Sequence, residues 1–136
     1  MMISIPGNPI PLERHRSFMK KGCIKQYDPQ VTAKVIFQMI MEQEIKKQKK
    51  NDYLLKDAPY EITIIFEMPF PLSKRKKKMP PLEDIPHTTK PDIDNLIKFV
   101  LDCGNGIIWK DDRYINSIKA KKVYSDNPKT IIHILL

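Results

Sequence analysis

The residues best suited to chemistry are aspartates concentrated between positions 90 and 114, in the stretch KPDIDNLIKFVLDCGNGIIWKDDRY. Asp92 and Asp94 open this stretch, and Asp111 and Asp112 close it. Carboxylates that converge from two ends of a short helical unit can hold a divalent metal ion, and metal-bound water can hydrolyse a phosphodiester. The stretch therefore predicts a metal-dependent hydrolytic site.

The first aspartate pair has a lysine beside it. Asp92 and Asp94 project from one side of an extended chain, and the preceding proline favours that conformation because it disfavours helix just before it. Lys98 follows Asp94 by one helical turn and points the same way, so it can stabilise charge on a phosphate or orient a water. The structural alternative makes Asp94 a helix N-cap and Lys98 its ion-pair partner.

The segment after Asp94 has the periodicity of an amphipathic helix that ends at glycines. Its predicted apolar stripe consists of Leu96, Ile97, Val100 and Leu101. Asp102 shares the polar face with Asp94 but lies about two turns away, so it is expected to face solvent or position the helix. Beyond the helix, Asp111 and Asp112 can form a plain turn, return to the helix start or lie past its end, and the sequence leaves these open.

The donor types favour Mg²⁺, with Mn²⁺ as a substitute, because hard oxygen ligands dominate and no His or Cys cluster accompanies them. Cys23 and Cys103 are far apart and fit neither a zinc spacing nor a disulfide framework, which suits a reducing cytoplasm. The N-terminal segment lacks a signal-peptide apolar run, and no run approaches the roughly 18 apolar residues of a spanning helix. The chain is therefore expected in the cytoplasm, away from membranes.

A chain of 136 residues is most simply one domain, residues 1–136, and its net charge of +8 favours a polyanionic partner, nucleic acid first. Two basic segments are candidate DNA contacts. One is an N-terminal arm that can form a hairpin; the other is a proline-containing loop at about 70–90, expected to be mobile. The candidates are Arg14, Arg16, Lys20 and Lys21 in the arm, and Lys74, Arg75, Lys76, Lys77 and Lys78 in the loop. Solvated surfaces are the alternative for both.

The remaining periodicity predicts the elements that must position these residues. A helix is expected from Asp28, as N-cap, to about Lys50, with an apolar stripe of Val31, Val35, Met39 and Ile40 broadened by Ile36 and Phe37. Alternating apolar residues predict strands at 60–68, 114–124 and 130–136, after a short apolar segment at 2–5. The last two strands are most simply an antiparallel hairpin.

Two motifs in this order, KPDIDNLIKFVLD and GNGIIWKDD, resemble the RusA family of Holliday junction resolvases. The resemblance extends to the preceding HTTKPD and, more loosely, to the N-terminal Gly-x-Pro and spaced arginines. It implies a small α/β (α+β) domain, with a mixed sheet and two main helices, that forms a homodimer. It also implies Mg²⁺-dependent cleavage of four-way DNA junctions in recombination and repair.

The same resemblance assigns roles within the stretch. It makes Asp92, Asp94 and Asp112 the metal ligands and Lys98 the catalytic lysine, and it names Asp111 as a further candidate ligand. The loop at 70–90 is longer and more basic than in compact relatives, and His15 replaces a proline between two arginines. These departures leave the acidic core intact. The alternatives are a broader nuclease for flaps and branched DNA, and a non-catalytic DNA-binding module with structural carboxylates.

Overall fold

The strands and helices follow the apolar periodicity of the chain. The computed structural model describes residues 1–48 and 54–135. Its elements are β1 (Met2–Pro6), β2 (Arg16–Lys20), β3 (Cys23–Tyr27), α1 (Val31–Gln48), β4 (Tyr60–Pro69), α2 (Ile93–Gly104), β5 (Ile115–Ser125) and β6 (Lys129–Leu135). No helix within these ranges is long and apolar enough to span a membrane.

Strand β4 organises a four-stranded mixed sheet in the order β1-β6-β4-β5. Its alternate residues are buried, as the period-two pattern predicts: Tyr60, Ile62, Ile64, Phe66 and Met68. β5 pairs with β4 in parallel, β6 pairs with it antiparallel, and β1 pairs antiparallel with β6. The expected small α+β domain with a mixed sheet and two main helices is confirmed.

The predicted hairpin between the last two strands is wrong, because β4 lies between β5 and β6. The short connection between β5 and β6 crosses the end of β4. It spans two interstrand spacings, which is about 10 Å. When a helix connects two strands, the strands commonly pair in parallel, and β4 and β5, which α2 connects, do so. The local turn signal could not reveal that the most apolar strand takes the central position and pairs on both edges.

Helix α1 buries one part of the predicted apolar set and exposes the rest. Phe37, Met41 and Ile45 are buried, and the Phe37 ring packs edge-on against Phe99 of α2 at 5.3 Å between centroids. Of the predicted set, Phe37 is therefore confirmed as buried and Ile40 is half-buried, whereas Val31, Val35, Ile36 and Met39 are exposed. The buried and exposed rows both repeat every four residues, and they lie about 200° apart on the helix, so periodicity alone could not choose between them.

The predicted start of α1 is close, and its predicted end is untested. Asp28 accepts a hydrogen bond from the Gln30 amide at 2.8 Å, and regular helix begins at Val31. Lys50, the predicted last residue, lies outside the described residues. In α2 the stripe is confirmed at Leu96 and Val100 and widened by Phe99 and Cys103, which are also buried, while Ile97 and Leu101 are half-buried.

The later part of the basic loop packs against the core, whereas residues 71–78 are exposed. It contains two short 3₁₀ turns, Leu72–Lys74 and Leu82–Asp84. The buried His87 donates its amide to the Lys122 carbonyl at 3.0 Å, and its ring lies 4.9 Å from the Tyr124 ring. The segment from 82 onwards therefore behaves as part of the fold, and it leads directly to the first aspartate pair.

Gly104 ends α2 directly against a large buried ring. A Cβ added at Gly104 would lie 2.4 Å from Cζ2 of Trp109, which is fully buried. Overpacking of a core commonly costs about 1–3 kcal/mol, and the indole has no free space to move into. We therefore expect Gly104→Ala to lower the free energy of unfolding by at least about 2 kcal/mol in chemical denaturation.

A double-variant cycle separates this clash from a general effect of alanine. Trp109→Phe removes the six-membered part of the indole that the new Cβ would meet, at its own cost in buried area. Combined with Gly104→Ala, it should give a loss smaller than the sum of the two single losses. Additive losses would show that the Gly104 position matters for another reason.

Candidate active site

Helix α2 carries the first carboxylate pair and Lys98 together. Asp92 is the N-cap residue, with an extended backbone at φ −70° and ψ 142°, and its side chain makes no capping hydrogen bond. Asp94 lies in the first turn, and its Oδ2 is 3.8 Å from Nζ of Lys98. Those two side chains are 66% and 60% exposed, so their ion pair contributes little to stability. Asp92 makes no capping hydrogen bond, and Asp94 makes only a weak ion pair with Lys98. Both carboxylates are therefore able to bind a ligand.

The N-terminal arm forms the other wall of this cleft. A cavity of about 360 Å³ is lined by Leu12, Glu13, Arg14, Asp92, Asp94, Asn95 and Lys98. The Leu12 amide donates to the Asn95 carbonyl at 2.9 Å, which ties the arm to the first turn of α2. Arg14 and Lys98 therefore face the same cavity as the two aspartates, although Arg14 is far from them in sequence.

Gln30 holds the arm in this position, and sequence reasoning missed it. Its side chain is buried, and its Nε2 donates to the Pro11 carbonyl at 2.8 Å. Its Oε1 accepts from the Glu13 amide, also at 2.8 Å. A buried amide that satisfies two backbone groups fixes a chain segment firmly. A single glutamine beside a proline gives no sequence signal for such long-range contacts.

Lys122 of β5 fixes the backbone on the other side of the site. Its Nζ donates to the carbonyls of Thr89, at 2.8 Å, and Pro91, at 2.6 Å, directly before Asp92. Sequence reasoning missed Lys122 as well, although a signal exists. Lys122 lies two residues after Ala120 and four after Ile118, so the three side chains project from the same face of β5. Lys122 is therefore a lysine on the inward face of a strand.

The two residues of the second aspartate pair make different contacts. Oδ1 of Asp111 accepts a hydrogen bond from the Arg113 amide at 2.9 Å and so caps the 3₁₀ turn Asp112–Tyr114. The exposed Asp112 carboxylate has no hydrogen bond or ion pair with another residue of the described chain. Of the two, Asp112 is therefore the better placed to bind a ligand.

The structure settles where this second pair lies, which the sequence left open. Asp112 begins the short 3₁₀ turn that leads into β5 at Ile115, whereas Lys122, farther along the same strand, contacts the backbone beside Asp92. Strand residues from Ile115 to Lys122 extend about 23 Å at 3.3 Å per residue. Asp111 and Asp112 thus lie past the end of α2. Among the residues that the structure describes, no three or more His, Cys, Asp or Glu side chains are grouped to share a metal ion.

The predicted DNA contacts occupy two exposed surfaces. Arg14, Arg16, Lys20 and Lys21 follow the arm into the β2–β3 hairpin, where Arg16 is 3.4 Å from Glu13. In the loop, Arg75 pairs with Asp126 and stacks over the Phe70 ring. Lys74, Lys76 and Lys78 rim a cavity of about 670 Å³ whose wall includes Phe70 and Tyr124. Cations that surround an apolar surface suit nucleic acid. Arg14 lines the acidic cleft, and the other predicted contacts are not among the residues that line it.

Other ionisable groups near helix α2 have no part in the cleft. Asp102 lies 3.5 Å from Lys34 of α1, as expected of a helix-positioning residue. Lys34 is also 2.7 Å from Asp28, and that hydrogen bond holds the pKa of the Asp28 carboxyl below its usual range. Burial raises the pKa of the Cys103 thiol to about 12, so it stays protonated at neutral pH and cannot serve as a nucleophile.

Comparison with known proteins identifies the family of the chain. The uncharacterized protein YqaN of Bacillus subtilis (strain 168) is 27% identical over 133 residues, which cover 96% of this chain and 92% of YqaN. The family model described as endodeoxyribonuclease RusA matches residues 6–135, nearly the whole chain, including the arm, both aspartate pairs and Lys98. The match confirms the resemblance found in the aspartate motifs, and the chain therefore belongs to the RusA endodeoxyribonuclease family.

Proposed function

We propose that this protein is a cytoplasmic, Mg²⁺-dependent endonuclease that cuts phosphodiester bonds at four-way DNA junctions during recombination and repair. Membership in the RusA endodeoxyribonuclease family supports the reaction class. The observation that carries the proposal is the cleft in which Asp92 and Asp94 face Lys98 and Arg14. Carboxylates that can hold a cation, flanked by two cations that can hold a phosphate, suit phosphodiester hydrolysis.

The residues present fit a hard divalent ion. Asp92 and Asp94 offer carboxylate oxygens in a shallow, exposed cleft, and Mg²⁺, or Mn²⁺ in its place, is bound in proteins by such oxygens together with water. When bound, the ion supplies Lewis-acid polarisation and a water of lowered pKa. Lys98 and Arg14 then orient the scissile phosphate, and their charges stabilise the negative charge that grows on it.

A twofold dimer explains the position of Asp112. In one chain this carboxylate lies past the far end of α2 from Asp92 and Asp94. A symmetric dimer that sets Asp112 of one copy beside the first pair of the other completes two identical sites, since every contact in a twofold interface occurs twice. Two symmetric sites are also what a junction needs, because its resolution takes two matched cuts.

Cleavage of synthetic DNA tests the proposal directly. The protein is incubated with a four-way junction, a flap and a linear duplex of matched sequence, each with Mg²⁺ and with a chelator. We expect paired cuts in the junction alone, and only with Mg²⁺. Equal cleavage of the flap would favour a broader branched-DNA nuclease, and junction binding without any cleavage would favour a non-catalytic module.

Lys122 is expected to act as a positioning residue for this reaction. Lys122→Met removes both hydrogen bonds to the backbone before Asp92 and leaves the cleft cations in place. Loss of such a supporting partner typically costs about 10–100-fold, so we expect kcat on the junction to fall by that factor with KM little changed. Lys122→Arg should restore part of the rate. A raised KM with an unchanged kcat would instead make Lys122 a substrate contact.

The loop lysines are expected to hold the DNA backbone. Lys76→Gln, Lys77→Gln and Lys78→Gln together should weaken junction binding and flatten its salt dependence by about 0.9 in slope for each phosphate that the protein no longer neutralises. The control triple Lys46→Gln, Lys47→Gln and Lys56→Gln removes equal charge from exposed sites elsewhere. Equal effects of the two triples on binding, measured by titration at several salt concentrations, would show that only net charge matters.

A further inference from the structure

The β2–β3 hairpin forms a separate ribbon that extends from the arm. It makes its own two-stranded sheet, and every residue of both strands is exposed. Its two-residue turn, Lys21 and Gly22, has φ values of 51° and 75°. Two positive φ values mark the turn type whose twist matches that of the flanking strands, so the ribbon is well defined up to its tip.

The two faces of this ribbon differ in chemistry. Residues directly opposite each other share a face, and the pairs Arg16–Tyr27, Phe18–Lys25 and Lys20–Cys23 make a face of cations and aromatic rings. The other face ends in the pair Met19–Ile24. Each of these two apolar side chains is 71% exposed, and the pair lies one residue pair before the Lys20–Cys23 pair that closes the turn. The tip therefore presents an apolar pair to solvent.

The surroundings of this pair indicate what it meets. Lys20 and Lys25 are the sequence neighbours of Met19 and Ile24 and project from the opposite face of the ribbon, and Lys21 lies in the turn. Cations next to an apolar tip disfavour a purely apolar protein surface and favour a partner with charged edges and flat apolar faces. DNA has that combination, with phosphates outside and base faces between the steps.

We propose that Met19 and Ile24 form an apolar wedge that inserts between base pairs at the branch point of the junction, an inference that rests on the proposed function. Proteins commonly unstack a base step with Met, Ile, Leu or Phe while nearby cations hold the phosphates. Base pairs at a branch lie at the end of a helical stack. Separating them therefore costs less free energy than separating pairs within a continuous duplex. The wedge thus gives branched DNA an advantage over linear duplex.

The fold places the wedge within reach of the cleft. Arg14 lines the cleft, and the first hairpin strand begins at Arg16. A five-residue strand extends about 17 Å, so the tip stands within roughly 20 Å of the scissile phosphate position, or about six base steps. One protomer can therefore hold a phosphate at its aspartates while its tip occupies the branch.

Fluorescence of 2-aminopurine tests the wedge. The base is placed beside the branch of a four-way junction, where unstacking raises its emission, and Asp94→Asn is present throughout to prevent cutting. The native tip is expected to raise emission at least about twofold, because insertion unstacks the neighbouring base. Met19→Gln with Ile24→Thr keeps size and strand propensity but should lose most of that rise. Met19→Leu with Ile24→Val should retain it.

The outcomes separate this inference from the proposed function. Equal emission for all three tips at saturating protein would overturn the wedge, even if the protein with native Asp94 cuts junctions. Loss of emission confined to the polar tip would support it, even if that protein cuts flaps equally well. If the polar tip instead converts a dimer to a monomer in sedimentation, the pair is a protein contact and the wedge is overturned.

Discussion

Asp94→Asn is expected to abolish Mg²⁺-dependent cleavage while leaving junction binding intact or tighter. The carboxylate is 66% exposed and faces a cleft with Lys98 and Arg14, so the amide fits without disturbing the core. It loses the negative charge that a hard cation requires. It also removes repulsion between the cleft and a phosphate. We expect the cleavage rate to fall by more than the roughly 100-fold that loss of a supporting partner gives.

Asp102→Asn provides the matched control for this variant. It makes the same change on the same helix, but Asp102 contacts Lys34 and lines no part of the cleft. Its ion pair with the half-buried Lys34 lies away from the cleft, so cleavage should change less than about threefold, the effect of roughly 0–1 kcal/mol. Single-turnover rates and binding titrations measure both quantities. Native cleavage by Asp94→Asn would show that Asp94 is not a ligand, and loss of binding together with cleavage would show that its role is structural.

The parts of the fold that follow from local chemistry could be predicted from the sequence. Alternation identified the buried face of β4, glycines identified the end of α2, and the spacing of Asp92, Asp94 and Lys98 placed them at one site. Each of these depends on residues within a few positions of one another. Periods of 2 and 3.6 residues and the preferences of glycine and proline decide such features.

The parts that depend on tertiary packing could not be predicted in this way. Helix α1 has two apolar rows, and contact with the sheet and Phe99 selects the one containing Phe37. The predicted hairpin between β5 and β6 does not form, because both strands pair with β4 instead. Gln30 and Lys122 support the site through backbone contacts to distant segments, and residue type alone does not reveal such partners.

Mixing two inactive variants is expected to restore cleavage if Asp112 acts across a dimer. Asp94→Asn and Asp112→Asn should each be inactive alone, because every site then lacks one carboxylate. In a mixed dimer, one site combines both defects, and the other combines native Asp94 from one copy with native Asp112 from its partner. Random exchange makes about half of the dimers mixed, so about a quarter of all sites should regain activity.

The products distinguish this arrangement from a site built within one chain. A mixed dimer has one intact site, so it should nick the junction without making the paired cut that separates the duplexes. Asp92→Asn mixed with Asp94→Asn is the control, since those residues share one chain's cleft and every site keeps a defect. If subunit exchange is verified by mass spectrometry and the first mixture stays inactive, Asp112 does not act across the dimer. The two aspartate pairs, which adjoin positions about 23 Å apart along β5 at Ile115 and Lys122, would then have to approach each other within one chain.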